Sequence, residues 1–254
     1  MIKDYIEQFL FFPIKEIKKS PENLKIPYED IYISLDEKTR CHGWFIESNK
    51  KNSISKDKVV LFFHGNAGNI SYRLSYIEKF YETGFSLLFF DYPGFGNSDG
   101  IPNESICIEC GKEFYKYLID KKGFTNHSII FYGESIGGSI ASSLANICNI
   151  KYLIVQSTFS DIKEIVKKIV NLNVIFSNIG FETLESIKLR HKINKLKKKM
   201  KTLVIHSNDD ELIDISHAEK LSEYSDSYYV CKGSHSNVQI DSDFIFQLLS
   251  FLKE

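Results

Sequence analysis

The chain has 254 residues, of which 43% are hydrophobic and 26% charged, the proportions of a soluble globular protein with room for one large α/β domain or two small ones. Basic and acidic residues nearly cancel, 32 against 33, which argues against nucleic acid or an anionic membrane surface as a partner chosen by net charge. Five scattered cysteines, an odd number with no secretion signal, exclude a disulfide scaffold and lead us to expect reduced thiols and a cytoplasmic location.

Near the start, Phe9 to Phe12 forms a short apolar patch. Asp4 and Glu7 interrupt it and no small-residue cleavage site follows, so it does not read as a signal peptide. Packing on the domain is its simpler reading, and peripheral contact with a membrane is the alternative. No run reaches the roughly 18 apolar residues of a membrane span. Residues 29–35 and 40–47 alternate as strands about a turn at Asp36 to Thr39, an antiparallel hairpin. Val59 to Phe63 is a continuous apolar run, as in a strand buried on both faces. It ends in His64-Gly65-Asn66-Ala67-Gly68-Asn69, and a helical pattern then runs from Tyr72 to Thr83 with Gly84 as its stop.

Ser86 to Phe90 repeats the buried strand and ends in the turn-rich loop Asp91 to Gly100, followed by a helix from Glu104 to Lys121. Cys107 and Cys110 have redox or metal spacing, but they fall inside that helix and no second ligand pair accompanies them. A strand from Ser128 leads into Gly133-Glu134-Ser135-Ile136-Gly137 and a further helix. Lys151–Gln156, Thr202–His206 and Ser227–Cys231 are later strands, and Asp241–Lys253 is the closing helix. This alternation predicts a single α/β domain over residues 1–254, with a mostly parallel sheet of about eight strands and helices on both faces. Ligands bind beyond the carboxyl ends of strands in such sheets. The interval between Gln156 and Thr202 is about 45 residues, more than a crossover helix needs. We read it as a crossover helix plus a small lid insertion, at about 159–195, over the serine turn. Its tail, Lys188 to Lys201, carries seven lysines and one arginine. A solvated helix face explains that charge, and an anionic-ligand patch is the alternative.

A serine between two glycines, after a strand and before a helix, has the context of a sharp turn that lifts its hydroxyl above the sheet edge. Serine is a poor nucleophile alone; it needs a base, and the base needs an orienting acid. In sheets of this kind these partners follow in the order Ser, Asp or Glu, His. The loop after the Thr202 strand offers Asp209, Asp210, Glu211 and, further on, Asp214; the loop after the Ser227 strand offers Gly233-Ser234-His235. His235 alone follows a late strand in such a turn. His217 belongs to a helix, and His42, His64, His127, His191 and His206 have simpler structural or surface readings. The backbone N–H of Ile136 would form half of an oxyanion hole, completed by a donor from the loop after the first buried strand. Gly94-Phe95-Gly96 lacks the third glycine of a dinucleotide fingerprint.

These motifs resemble those of the α/β-hydrolase superfamily, and more narrowly its BEM46-like branch with the ABHD13- and ABHD17-type serine hydrolases. The matching stretches are His64 to Asn69, Asp91-Tyr92-Pro93-Gly94-Phe95-Gly96, Gly133 to Gly137, the Asp210 loop and Gly233 to His235, with Phe12-Pro13 and His42 to Phe45 near the start. The resemblance implies an α/β-hydrolase fold over almost the whole chain. Its His-Gly-x-x-Asp pattern places the acid fifth from His206, at Asp210, and its oxyanion donor after His-Gly, at Asn66. Ser207 stands where the family usually has glycine, and Pro93 where arginine is common; neither change removes a catalytic atom.

The expected activity is cofactor-free, metal-free hydrolysis of a small carboxylic ester or thioester through an acyl-enzyme on Ser135, with no nucleic-acid partner. The ABHD17-type resemblance adds protein or lipid depalmitoylation, for which Phe159, Phe176 and Phe181 are candidate groove residues. Peptidase activity ranks lower, since no substrate-gating domain is present. Outside enzymes the alternative is a binding protein on the same fold, because fold alone does not fix function.

Overall fold

In the computed structural model, which describes residues 10–49, 54–170, 180–197 and 200–253, the apolar runs assemble into one eight-stranded sheet. Its strands are β1 (Glu29–Ser34), β2 (Arg40–Ile46), β3 (Val59–Phe63), β4 (Ser86–Phe90), β5 (Ile129–Glu134), β6 (Tyr152–Gln156), β7 (Lys201–Ser207) and β8 (Ser227–Cys231). Their order across the sheet is β1-β2-β4-β3-β5-β6-β7-β8. β2 pairs antiparallel with β1 and with β4, and all other pairings are parallel, so β2 alone runs against the rest. The connecting helices are α1 (Leu74–Thr83), α2 (Glu104–Asp120), α3 (Ile136–Ala145), α4 (Ile162–Val170), α5 (Thr183–Lys197), α6 (Ile215–Ser222) and α7 (Ser242–Lys253).

Side chains along a strand alternate between faces, so a strand covered on both sides must be apolar throughout. On β3, Val59, Leu61 and Phe63 enter one core while Val60 and Phe62 enter the other; on β5, Ile129 and Phe131 oppose Ile130 and Tyr132 in the same way. Helices α1 and α7 cover one core through residues such as Phe80 and Leu248. Helices α2, α3 and α6 cover the other through Phe114, Leu144 and Leu221. Phe62 stacks between Phe89 and Tyr132 at 4.4 and 5.2 Å. Such aromatic pairs add about 0.5–1.5 kcal/mol each beyond area burial. The five cysteines are buried thiols outside any disulfide, and burial raises the Cys110 thiol well above its ordinary value.

The long interval between β6 and β7 divides in two. Helix α5 lies against α3, where the Asn146 side-chain amide donates to the Ser186 carbonyl at 3.1 Å. Helix α4 instead stands beside the Ser135 turn. Ahead of α5, the Phe181 N–H donates to Glu104 Oε1 at 2.5 Å, which ties this segment to the start of α2. Among the described residues, no helix is long and apolar enough to cross a membrane.

Candidate active site

Ser135 joins β5 to α3 at φ 54° and ψ −122°, in the left-handed half of the map where non-glycine residues are strained. The surroundings hold it there. Its N–H donates to the Gln156 carbonyl at 2.9 Å, and its own carbonyl accepts from Gly138 N–H at 2.9 Å and from the Thr158 hydroxyl at 2.7 Å. The two flanking glycines are required by space. A Cβ on Gly133 would lie 2.5 Å from the Gly137 carbonyl oxygen, and one on Gly137 would collide with the Phe63 carbonyl. The turn is therefore as tight as the spacing of Gly133 and Gly137 predicts.

Two later loops converge on it. His235 Nε2 lies 3.1 Å from Ser135 Oγ, and His235 Nδ1 lies 2.8 Å from Asp210 Oδ2. Asp210 Oδ1 accepts the N–H groups of Leu212 and Ile213 at 3.0 and 2.8 Å, and its side chain is fully buried. Burial alone would raise the Asp210 carboxyl. The His235 hydrogen bond and charge, the Ile213 N–H and the nearby His206 outweigh burial and hold it below the usual aspartate value. With a carboxylate on Nδ1, that nitrogen carries the imidazole proton and Nε2 is left to accept from the Ser135 hydroxyl. The other acids of the loop are placed elsewhere. Asp209 is exposed, Glu211 accepts the His235 N–H at 3.0 Å, and Asp214 caps α6 through Ser216 N–H. Ser207 links the two loops, since its hydroxyl donates to the Gly233 carbonyl and accepts the Asp209 N–H.

A cavity of about 120 Å³ opens beside Ser135, walled by Phe159 and by Ile162, Ile165 and Val166 from α4 and its approach. Leu212 and Ile213 of the acid loop close another side, and Asn66 and Ile136 sit on the Ser135 side. Ile136 is the first residue of α3, so its N–H has no acceptor within the helix. Asn66 is held by an N-terminal strap. Its side-chain amide donates to the Leu10 carbonyl at 3.1 Å, and its carbonyl accepts the Phe12 N–H at 2.7 Å. Leu10 and Phe12 complete the cavity rim, where Phe12 is 60% exposed while Phe11 points into the core. Of the three phenylalanines expected at a groove, Phe159 lines the cavity and Phe181 does not. Phe181 packs instead on Phe11, with ring centroids 6.0 Å apart. Phe176 lies outside the described residues.

Behind the turn is an ion pair whose role the sequence did not reveal. Glu134 and Arg73 form a buried forked ion pair, with Arg73 Nε 2.9 Å from Glu134 Oε2 and Nη2 3.3 Å from Oε1. A buried Asp91 accepts the Ile70 N–H at 2.8 Å, steadying the same loop from its far end. The signal for Glu134 was present in principle, since a charge between a buried strand and a buried turn needs a partner. Among the described residues no three His, Cys, Asp or Glu side chains gather as a metal site requires.

Comparison with known proteins agrees with this architecture. A family model described as the alpha/beta hydrolase fold matches residues 58–147, and one described as an uncharacterised protein family, UPF0227, matches residues 114–253. An uncharacterized protein of Acanthamoeba polyphaga mimivirus is 31% identical over 287 residues, covering 98% of this chain and 93% of its own length. The protein bem46 of Schizosaccharomyces pombe is 27% identical over 203 residues, covering 78% of this chain and 66% of its own. Among solved structures, the esterase Pf2001 of Pyrococcus furiosus superposes with a TM-score of 0.74 at 20% identity, over 96% of this chain and 97% of that one. With the sheet order, the turn at Ser135 and these relatives in hand, the chain belongs to the α/β-hydrolase superfamily, in its BEM46-like branch.

Proposed function

We propose that this protein is a serine hydrolase that cleaves carboxylic esters or thioesters through an acyl-enzyme on Ser135. One observation carries the reading: Ser135, His235 and Asp210 form a continuous hydrogen-bonded chain, at 3.1 and 2.8 Å, whose serine end lines an apolar cavity. In the reaction, Ser135 Oγ attacks the substrate carbonyl carbon while its proton passes to His235 Nε2. The carbonyl electrons move to oxygen, and the resulting oxyanion accepts hydrogen bonds from the N–H groups of Ile136 and Asn66. Each donor of this kind is worth about 3 kcal/mol in the transition state. As the carbonyl re-forms, the alkoxide or thiolate leaves and takes the Nε2 proton. Water then repeats the sequence on the acyl-enzyme, with His235 again accepting and returning the proton.

The cavity indicates the acyl group. A dry apolar cavity of about 150 Å³ holds a benzene molecule, so 120 Å³ suits an acyl chain of about four to six carbons. We therefore rank short-chain esters and thioesters above a palmitoyl thioester. A short-chain nitrophenyl ester should release its chromophore in a burst equal to the enzyme present, and Ser135→Ala should abolish both burst and turnover. Persistent turnover in that variant would sink the assignment. A fluorophosphonate probe separates this reading from a binding-only protein, which would stay unlabelled.

A further inference from the structure

We propose that Arg73, gripped by Glu134, is a positioning residue that aligns the oxyanion loop with Ser135; the inference rests on the serine-hydrolase reading above. The two residues are 9% and 8% exposed, so the pair is buried. Arg73 uses all three nitrogens. Two form the fork on Glu134, while Nη1 donates to the Ala67 carbonyl at 2.9 Å and reaches the Asn69 carbonyl at 3.5 Å. From the other side, the Gly65 N–H reaches Glu134 Oε2 at 3.4 Å. The loop is thus tied on both sides of Asn66 to the residue immediately before Ser135. The pair couples the loop that carries one oxyanion donor to the turn that carries the other, beside the strap contacts that hold Asn66 itself.

Charge gives a second reason for an arginine. A carboxylate adjacent to the reacting serine would oppose the negative charge that develops on the substrate oxygen, and the guanidinium laid across it cancels that field. His64, at the head of the loop, registers the arginine: burial, with Arg73 adding to it, pushes that imidazole down to about 3. His64 stays neutral in consequence, with Nδ1 donating to the Gly65 carbonyl at 2.7 Å. Lysine could supply the charge, but it lacks the planar fork that reaches a carboxylate and a carbonyl together.

A residue that only aligns transition-state donors changes kcat and leaves KM alone. Removing an oxyanion donor outright costs about 100- to 1,000-fold, so losing its alignment should cost about 10- to 100-fold. The test uses the full chain as Arg73→Lys, Arg73→Met, Arg73→Met with Glu134→Gln, and Ser135→Ala. Rates on nitrophenyl butyrate are read beside melting temperature and inhibition by an alkyl trifluoromethyl ketone. That ketone bonds to Ser135 Oγ, sends the proton to Nε2 and places its new oxyanion in the hole.

The double variant removes both charges, a replacement that buried ion pairs often tolerate without loss of stability. It should melt near the wild type yet lose kcat, with KM held within about threefold. Ketone affinity should fall by the same factor as kcat/KM, and Arg73→Lys should recover only part of the loss. A well-folded double variant with wild-type kcat, a loss appearing in KM, or unchanged ketone affinity would each overturn the proposal. If Arg73→Met does not fold, the lysine and double variants decide alone. Turnover that survives Ser135→Ala refutes the serine reading itself. Turnover lost there but intact in the double variant refutes only the role of Arg73.

Discussion

In the proposed mechanism, Asp210→Asn isolates the orienting acid with almost no change of volume. Its Oδ1 accepts two main-chain N–H groups, from Leu212 and Ile213, which can only donate. In the variant the amide oxygen must stay with them, so the amide nitrogen takes the place of Oδ2, 2.8 Å from His235 Nδ1. Two donors cannot face each other, so Nδ1 gives up its proton and the imidazole switches tautomer. The proton then sits on Nε2, pointing at Ser135 Oγ 3.1 Å away. A protonated Nε2 cannot take the serine proton. The equivalent exchange in a known Ser-His-Asp protease lowers kcat about 10⁴-fold, or about 5 kcal/mol at 1.36 kcal/mol per decade. We expect a fall of that order in steady-state hydrolysis of a nitrophenyl ester, with KM little changed.

Acid stability gives the same variant a second readout. The Asp210 carboxyl is held below its ordinary value of 3.8. The stability it contributes is therefore fully present above that pH and is lost as pH falls through the lower folded value. An asparagine has no such loss, so the melting temperature of the variant should depend less steeply on pH below about 4 than that of the wild type. A kcat within tenfold of wild type would refute the tautomer argument. Identical acid sensitivity would refute the claim that Asp210 is held as a carboxylate by its neighbours.

Three further outcomes follow from the same geometry. Ser135→Gly should remove turnover and raise stability, because the strained backbone costs about 1–3 kcal/mol and glycine gives back only about 0.5–1 in entropy; calorimetry showing a lowered melting temperature would contradict the strain. Ile165→Ala, on the cavity wall and 7% exposed, should move the best acyl chain about two carbons longer across a graded ester series. It should also cost about 2–5 kcal/mol in denaturant unfolding, and an unchanged chain preference would remove this residue from the pocket. Ser207→Ala should cost about 1 kcal/mol by parting the acid loop from the His235 loop, measured as a shift in the urea midpoint at constant slope.

The parts of this molecule legible in the sequence are those where a local pattern has one physical solution. Five consecutive β-branched, aromatic and aliphatic residues from Val59 to Phe63, too short for a helix and ended by a glycine turn, fit a strand covered on both faces, and two cores do cover it. The Gly133 and Gly137 spacing is legible for the same reason, since any side chain there meets backbone. Apart from Ser135, Asp210 and His235, whose motifs name one another in order, contacts between distant segments were not legible. Arg73 and Glu134 are 61 positions apart, and nothing near either residue names the other. Phe181 is a groove candidate in the sequence only as part of the expected lid. Its φ of 65° and the Glu104 anchor on its N–H accompany a ring packed on Phe11.

The N-terminal strap shows why an apolar doublet is ambiguous before its backbone is known. In an extended segment, neighbouring side chains point to opposite sides. Phe12-Pro13 pairs in parallel with Ala67-Gly68, so Phe11 enters the core and Phe12 is turned to the cavity rim. The same pairing delivers the Phe12 N–H to the Asn66 carbonyl. The segment that supplies a wall of the cavity therefore also holds Asn66, the proposed oxyanion donor. If the proposed hydrolysis holds, a substitution in the strap should move chain-length preference and transition-state stabilisation together, since both would pass through Asn66.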